Sequence, residues 1–212
     1  MYNDITCIIL SGGKSSRMGQ NKSLMEIAGV PAIERIVNLV KPVFPKLILS
    51  TNTSEEYAFL NLEMVEDIYT HLGPASGIHA GLMASKTEKN FVISCDMQLM
   101  NDETIRFIID YPTDAKVVIA KADGFNQQLA GVYSKDCIAE IDLIAKEDLE
   151  AETRSSDQKK RGCKVFKLVT KMNGQIIDVI VEMPNYKDGT FFNMNKPHEY
   201  DEIVERLANK IK

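Results

Sequence analysis

The stretch "ITCIILSGGKSSRMGQNK", Ile5 to Lys22, runs from an apolar segment straight into a loop holding three glycines, one arginine and two lysines. An apolar run without polar alternation reads as a strand buried on both faces, the pattern of a parallel sheet covered by helices. In doubly wound sheets ligands bind at the carboxyl ends of the strands, where glycine lets the backbone come close and N–H groups point at anions. The loop Ser11 to Lys22 stands at such an end. It fits neither familiar phosphate fingerprint. G-x-x-x-x-G-K-[ST] would need glycine at Ile8, and G-x-G-x-x-G cannot be laid over Gly12, Gly13 and Gly19. What remains is an adjacent glycine pair, with Arg17 and Lys22 spaced to reach a polyphosphate from one loop. The plainer reading is a tight connection carrying exposed bases.

Further runs of the same kind follow: "KLILS" (Lys46 to Ser50), "NFVIS" (Asn90 to Ser94) and "KVVIA" (Lys116 to Ala120). Between the first two strands Ile33, Ile36, Val37 and Val40 recur at helical spacing behind Pro31. Other helices fit Gly77 to Ser85, Asp102 to Ile109, and "SKDCIAEIDLIA" from Ser134 after the apolar "LAGVY". The alternation predicts an α/β fold, a three-layer, doubly wound, mostly parallel sheet of Rossmann-like type. Lys146 to Lys164 is polar and charge-dense and reads as a surface connection, its Lys159, Lys160 and Arg161 as a solvated run. Beyond it, "CKVFKLV" and "QIIDVIV" have strand character. A closing amphipathic helix carries Tyr200, Ile203, Val204, Leu207 and Ile211 on one face.

With 212 residues the chain suits a single domain. A net charge of −5 argues against a broad nucleic-acid surface, so any anion site must be concentrated. No apolar run approaches the roughly 18 residues of a membrane span and no secretory leader is evident, so a cytoplasmic location is expected. Cys7, Cys95, Cys137 and Cys163 are scattered and read as reduced thiols. With His71, His79 and His198 they form no zinc pattern.

The opening loop resembles the L-[AS]-G-G-x-S-x-R-M-G-x-x-K signature of nucleotidyltransferases similar to the MobA family of molybdenum cofactor guanylyltransferases. Further landmarks occur in that family's order: "STN", "VED", "GPASGI", "SCDM" and "FFNMNKPHEY". The resemblance implies transfer of GMP from GTP to metal-loaded molybdopterin with Mg²⁺, by a single domain with a nucleotide-binding half over about 1–112 and an acceptor-binding half over about 113–212, and contact with molybdenum-insertion or molybdoenzyme-maturation proteins. It implies GTP binding by Leu10, Ser11, Gly12, Gly13 and Lys22, with Arg17 on phosphate, Asn52 and Asp67 near the guanosine, and Asp96 as the metal ligand. Asn193 and Asn195 would lie beside the metal and the acceptor phosphate. Read without the family, Asn52 is a turn residue, Asp67 a surface charge, and the asparagine pair local bonding at a helix entrance. Asp96 differs, because a carboxylate directly after a buried strand is either a ligand or an unpaired liability.

The sequence departs from the family on the acceptor side. "DMQLM" at Gln98 to Met100 lacks the usual prolines, "GFNQQLAGVY" from Gly124 lacks a histidine-proline step, and Lys196 replaces a capping threonine. Cytidylyl transfer, another phosphate acceptor, a sugar- or polyol-phosphate nucleotidyltransferase, and a non-catalytic nucleotide-binding module therefore stay open as alternatives.

Overall fold

The structure, a computed structural model, describes residues 1–12, 21–154 and 164–210. Strand β1 (Ile5–Leu10) is buried at every position. Its side chains divide by the two-residue period of a strand, Ile5, Cys7 and Ile9 entering one apolar cluster and Ile8 and Leu10 another. After it come the short strands β2 (Glu26–Ile27) and β3 (Val30–Pro31), helix α1 (Ala32–Val40), and strands β4 (Lys46–Ser50) and β5 (Glu63–Val65). Helix α2 (Pro74–Ala84), strand β6 (Lys89–Ser94), helix α3 (Asp102–Ile109), and strands β7 (Val117–Ala122) and β8 (Phe125–Ser134) follow. The chain continues through helices α4 (Cys137–Arg154) and α5 (Lys164–Lys171), strand β9 (Gln175–Asp178), the single turn α6 (Val179–Glu182) and helix α7 (Pro197–Lys210).

Seven strands form one sheet in the order β5-β4-β1-β6-β8-β7-β9, in which β8 alone runs antiparallel to its neighbours. This is the mostly parallel, three-layer sheet expected. Ile33, Ile36, Val37 and Val40 of α1 and Ile105 and Ile108 of α3 cover one face, whereas α2, α4 and α5 cover the other. The chain moves outward from β1 to β4 and β5, then returns to the far side of β1 as β6. That reversal opens a crevice at the carboxyl ends of β1, β4 and β6.

Helix α2 lies very close to the sheet because two of its residues lack side chains. A Cβ added at Gly81 would come within 2.4 Å of Ile8 Cγ2, and one at Gly77 within 2.7 Å of Ser50 Oγ. The same helix meets α4 through buried His79, whose Nε2 lies 3.0 Å from Asp142 Oδ1, an oxygen that also accepts from Tyr69 Oη at 2.6 Å.

Three local expectations are corrected. "CKVFKLV" is not a strand: Lys164 to Lys171 form α5, with Val165, Leu168 and Val169 buried at helical spacing. Burial of these three on one helical face explains the choice, and the lysines add pairs to α4: Lys167 with Glu147 at 2.5 Å, Lys171 with Glu140 at 2.8 Å, and Lys164 with Asp148. The polar segment from Lys146 is accordingly helical up to Arg154. Lys159, Lys160, Arg161 and Cys163 lie outside the described residues. "QIIDVIV" is strand only to Asp178 and then turns into α6. Cys7, Cys95 and Cys137 are buried free thiols, and no described helix is long and apolar enough to cross a membrane.

Gly81→Ala should destabilise the fold by about 1–3 kcal/mol through overpacking against Ile8, read as a lower thermal midpoint. Combined with Ile8→Ala it should cost less than the sum of the two single changes, because they share one contact.

Candidate active site

The crevice at the reversal point has a volume of about 690 Å³ and is lined by the ends of β1, β4 and β6 and by the start of α2. Backbone pairing aligns these ends: Ser11 N donates to Ser50 O at 2.9 Å and Cys95 N to Leu10 O at 3.0 Å. Residues 11, 51 and 95 therefore leave the sheet at one level. Among the expected nucleotide residues Leu10, Ser11, Gly12, Lys22, Asn52 and Asp67 all line this space. Gly13 and Arg17 lie outside the described residues.

Lys22 and Asp96 meet directly. Lys22 Nζ is 2.5 Å from Asp96 Oδ2 and donates to Asn195 Oδ1 at 3.3 Å. The three groups come from the loop after β1, the turn after β6 and the segment before α7, so residues far apart in sequence converge at one point. The backbone reinforces the approach, Met194 N donating to Asp96 O at 3.1 Å. Asn193, half-buried, precedes Met194 in that segment. The missing cap at Lys196 is compensated by Glu199, whose Oε2 accepts from Asn195 N at 2.6 Å and Lys196 N at 2.9 Å. Asp96 itself is buried, and its Oδ1 has no hydrogen-bond partner among the described residues. An orphaned carboxylate oxygen beside a cleft suits a cation ligand better than a structural role.

At the other end of the cleft, Asn52 Nδ2 donates to Asp67 Oδ2 at 2.9 Å, and Asp67 N donates back to Asn52 Oδ1 at 2.9 Å. Partial burial raises the Asp67 carboxyl above its ordinary value, and the Asn52 amide opposes that shift. A Cβ placed at Gly12 meets nothing within 4 Å among the described residues.

Ser11 takes a role not foreseen. Its hydroxyl turns inward, 2.8 Å from Ser23 Oγ and 2.9 Å from Tyr57 Oη. Asn21, Ser23, Glu56, Tyr57 and Cys95 were likewise not anticipated. Only Asn21 left a local signal, an asparagine placed to cap the turn that carries Lys22. Burial, reinforced by neighbouring Asp96, pushes the Cys95 thiol up, so it stays a neutral thiol. Gln98, at the first departure from the family pattern, is buried and donates to Cys95 O at 2.7 Å and Ala32 O at 2.9 Å, tying the turn after Asp96 to the start of α1. Phe125, at the second, is exposed.

Residues 7–160 match the family model described as the MobA-like NTP transferase domain. A protein of Carboxydothermus hydrogenoformans described as a probable molybdenum cofactor guanylyltransferase is 31% identical over 210 residues, covering 98% of each chain. One of the same description from Clostridium perfringens SM101 is 30% identical, covering 93% of this chain and 95% of its own. Among solved structures, molybdopterin-guanine dinucleotide biosynthesis protein A of Archaeoglobus fulgidus superposes with a TM-score of 0.77 at 18% identity, over 96% of this chain and 99% of that one. At that identity the likeness speaks for the fold.

Because burial raises the Asp67 pKa, its ionised form costs stability at neutral pH and its protonated form does not. Asp67→Asn should therefore raise the thermal midpoint of the ligand-free protein at pH 7. The gain should shrink as pH falls through the folded-state pKa and vanish below the ordinary aspartate value of 3.8. Thermal melts at a series of pH values check this.

Proposed function

The chain belongs to the MobA-like NTP transferase family, and from that premise we propose that it transfers GMP from GTP to the phosphate of metal-loaded molybdopterin, releasing pyrophosphate. Its activity class is nucleotidyl transfer. The observation that carries the finer reading is the convergence of Asp96 and Asn195 on Lys22, which lines the same cleft as the paired Asn52 and Asp67. A cation, a carboxylate with a free oxygen, and an amide at one point are the parts a triphosphate site needs. The paired Asn52 and Asp67 then face the nucleoside.

The reaction requires no covalent protein intermediate. An oxygen of the acceptor phosphate forms a bond to the α-phosphorus, the bond from that phosphorus to the bridging oxygen breaks, and its electron pair leaves with pyrophosphate. The residues supply position and charge. Lys22 neutralises the departing pyrophosphate, and Asn193 and Asn195 offer amide donors and acceptors to the incoming phosphate. Backbone at Ser11 and Gly12 lies against the nucleotide.

The residues fit Mg²⁺. Among the described residues Asp96 Oδ1 is buried and has no hydrogen-bond partner. This suits an ion that binds one or two carboxylates and completes its shell with water and substrate phosphates. When bound, Mg²⁺ supplies charge neutralisation across the phosphate oxygens. On this reading the acceptor half, about 113–212, contributes to a shared site through the segment before α7, and the product passes to proteins that insert the metal or mature molybdoenzymes.

The test is formation of dinucleotide and pyrophosphate from metal-loaded molybdopterin with Mg²⁺, offered GTP, CTP, ATP and UTP in parallel. Product with GTP alone is the expected outcome. Product with CTP would keep the chemistry and overturn the base, and no product with any nucleotide from folded protein would overturn the acceptor. Lys22→Ala and Asp96→Asn should each lower kcat by about 10²–10³-fold while the protein remains folded by circular dichroism.

A further inference from the structure

The position of Lys22 is set from the segment that follows a different strand, β4. Lys22 opens a single 3-10 turn, Lys22–Leu24, too short to hold itself, and both of its flanking residues are anchored elsewhere. On one flank, Asn21 Oδ1 accepts from Ser23 N at 3.1 Å and caps the turn. The nitrogen of the same amide donates to Glu56 Oε2 at 2.5 Å and to Tyr57 Oη at 2.9 Å. Both partners sit on the 3-10 segment Ser54–Leu60, which follows Asn52 after β4. An amide so placed cannot be flipped, since its oxygen would then face the Glu56 carboxylate and its nitrogen the Ser23 N–H.

The other flank is Ser23, which is buried. Its hydroxyl lies 2.8 Å from Ser11 Oγ and 3.0 Å from Cys95 Sγ, and Ser11 Oγ lies 2.9 Å from Tyr57 Oη. In this row each hydroxyl can accept from one neighbour and donate to the next, a fully satisfied buried network that resists rearrangement. Tyr57 is only 2% exposed. Its hydroxyl is thus tied to both residues that bracket Lys22.

We propose that Tyr57 and Glu56 are positioning residues for Lys22, holding its turn through the Asn21 amide and the Ser11 and Ser23 hydroxyls so that the ammonium is delivered to the triphosphate. The proposal rests on the reading of Lys22 as a phosphate-binding cation. Neither residue needs to touch phosphate. Because both belong to the segment beginning next to Asn52, the nucleoside end of the cleft and its phosphate end share one mechanical support.

The experiment is a double-mutant cycle on nucleotide affinity, by calorimetry with GTP, or with whichever triphosphate the parallel assay selects. Tyr57→Phe keeps the buried ring and removes only the hydroxyl, Glu56→Gln alters an exposed side chain, and Lys22→Met removes the cation. Tyr57→Phe and Glu56→Gln should each weaken binding about two- to tenfold, the worth of one hydrogen bond. Neither should weaken it further in Lys22→Met, because a support has no effect once the group it supports is gone. If Lys22→Met binds the triphosphate as tightly as the wild type, the reading of the site fails. Should Lys22→Met weaken binding while the other two changes have no effect, or act equally in both backgrounds, the positioning role is overturned and the site stands. If Tyr57→Phe does not fold, Glu56→Gln alone decides.

Discussion

The alignment of three strand ends is the constraint on which the rest of the molecule depends. β1 is paired to β4 and β6 along its length, Leu10 standing opposite both Ser50 and Ser94. The bonds Ser11 N to Ser50 O and Cys95 N to Leu10 O carry that registry one residue past the sheet. A slip of one residue would exchange Ile8 with Ile9 between the two apolar clusters, and the burial on both faces forbids it. The loops bearing Lys22, Asn52 and Asp96 therefore start from fixed points. α2 completes the arrangement only because Gly77 and Gly81 let it approach to contact distance.

The site concentrates charge in a chain whose net balance is acidic. Most of its surface ion pairs are exposed and contribute little individually. Lys22 and Asp96 differ, with side chains 18% and 10% exposed. Their strength of interaction comes from partial exclusion of water, and it is directed by the hydrogen bonds that hold the Lys22 turn, one of them accepted by the Glu56 carboxylate.

Much of this was legible in the sequence because burial on both faces leaves a strong trace. "TCIIL" and "NFVIS" cannot be anything but central strands if the chain is α/β, and Asp96 follows from its place at the end of one. The direction of β8 left no trace, since an apolar strand reads the same either way. The strand expected at α5 came from Val165, Phe166 and Val169, which favour strands intrinsically, and what decides otherwise is the burial of Val165, Leu168 and Val169 at helical spacing in the core, a tertiary fact. The supports of Lys22 were invisible for a related reason. A tyrosine in a polar stretch reads as core, and its value lies in which hydroxyls stand near its own. That Lys22 and Asp96 would face each other, rather than each facing a ligand, was equally unreadable from separate motifs.

That last feature has a consequence for which molecules the cleft admits. Taken as a unit, Lys22 and Asp96 carry no net charge. A lone divalent ion gains little by approaching, because the carboxylate is already screened by the ammonium, and a lone polyanion meets an ammonium already screened by the carboxylate. A polyphosphate arriving with its cation offers each half a replacement partner at once. Under the proposed reading of the site, the pair would favour a polyphosphate bound together with its cation over either one alone.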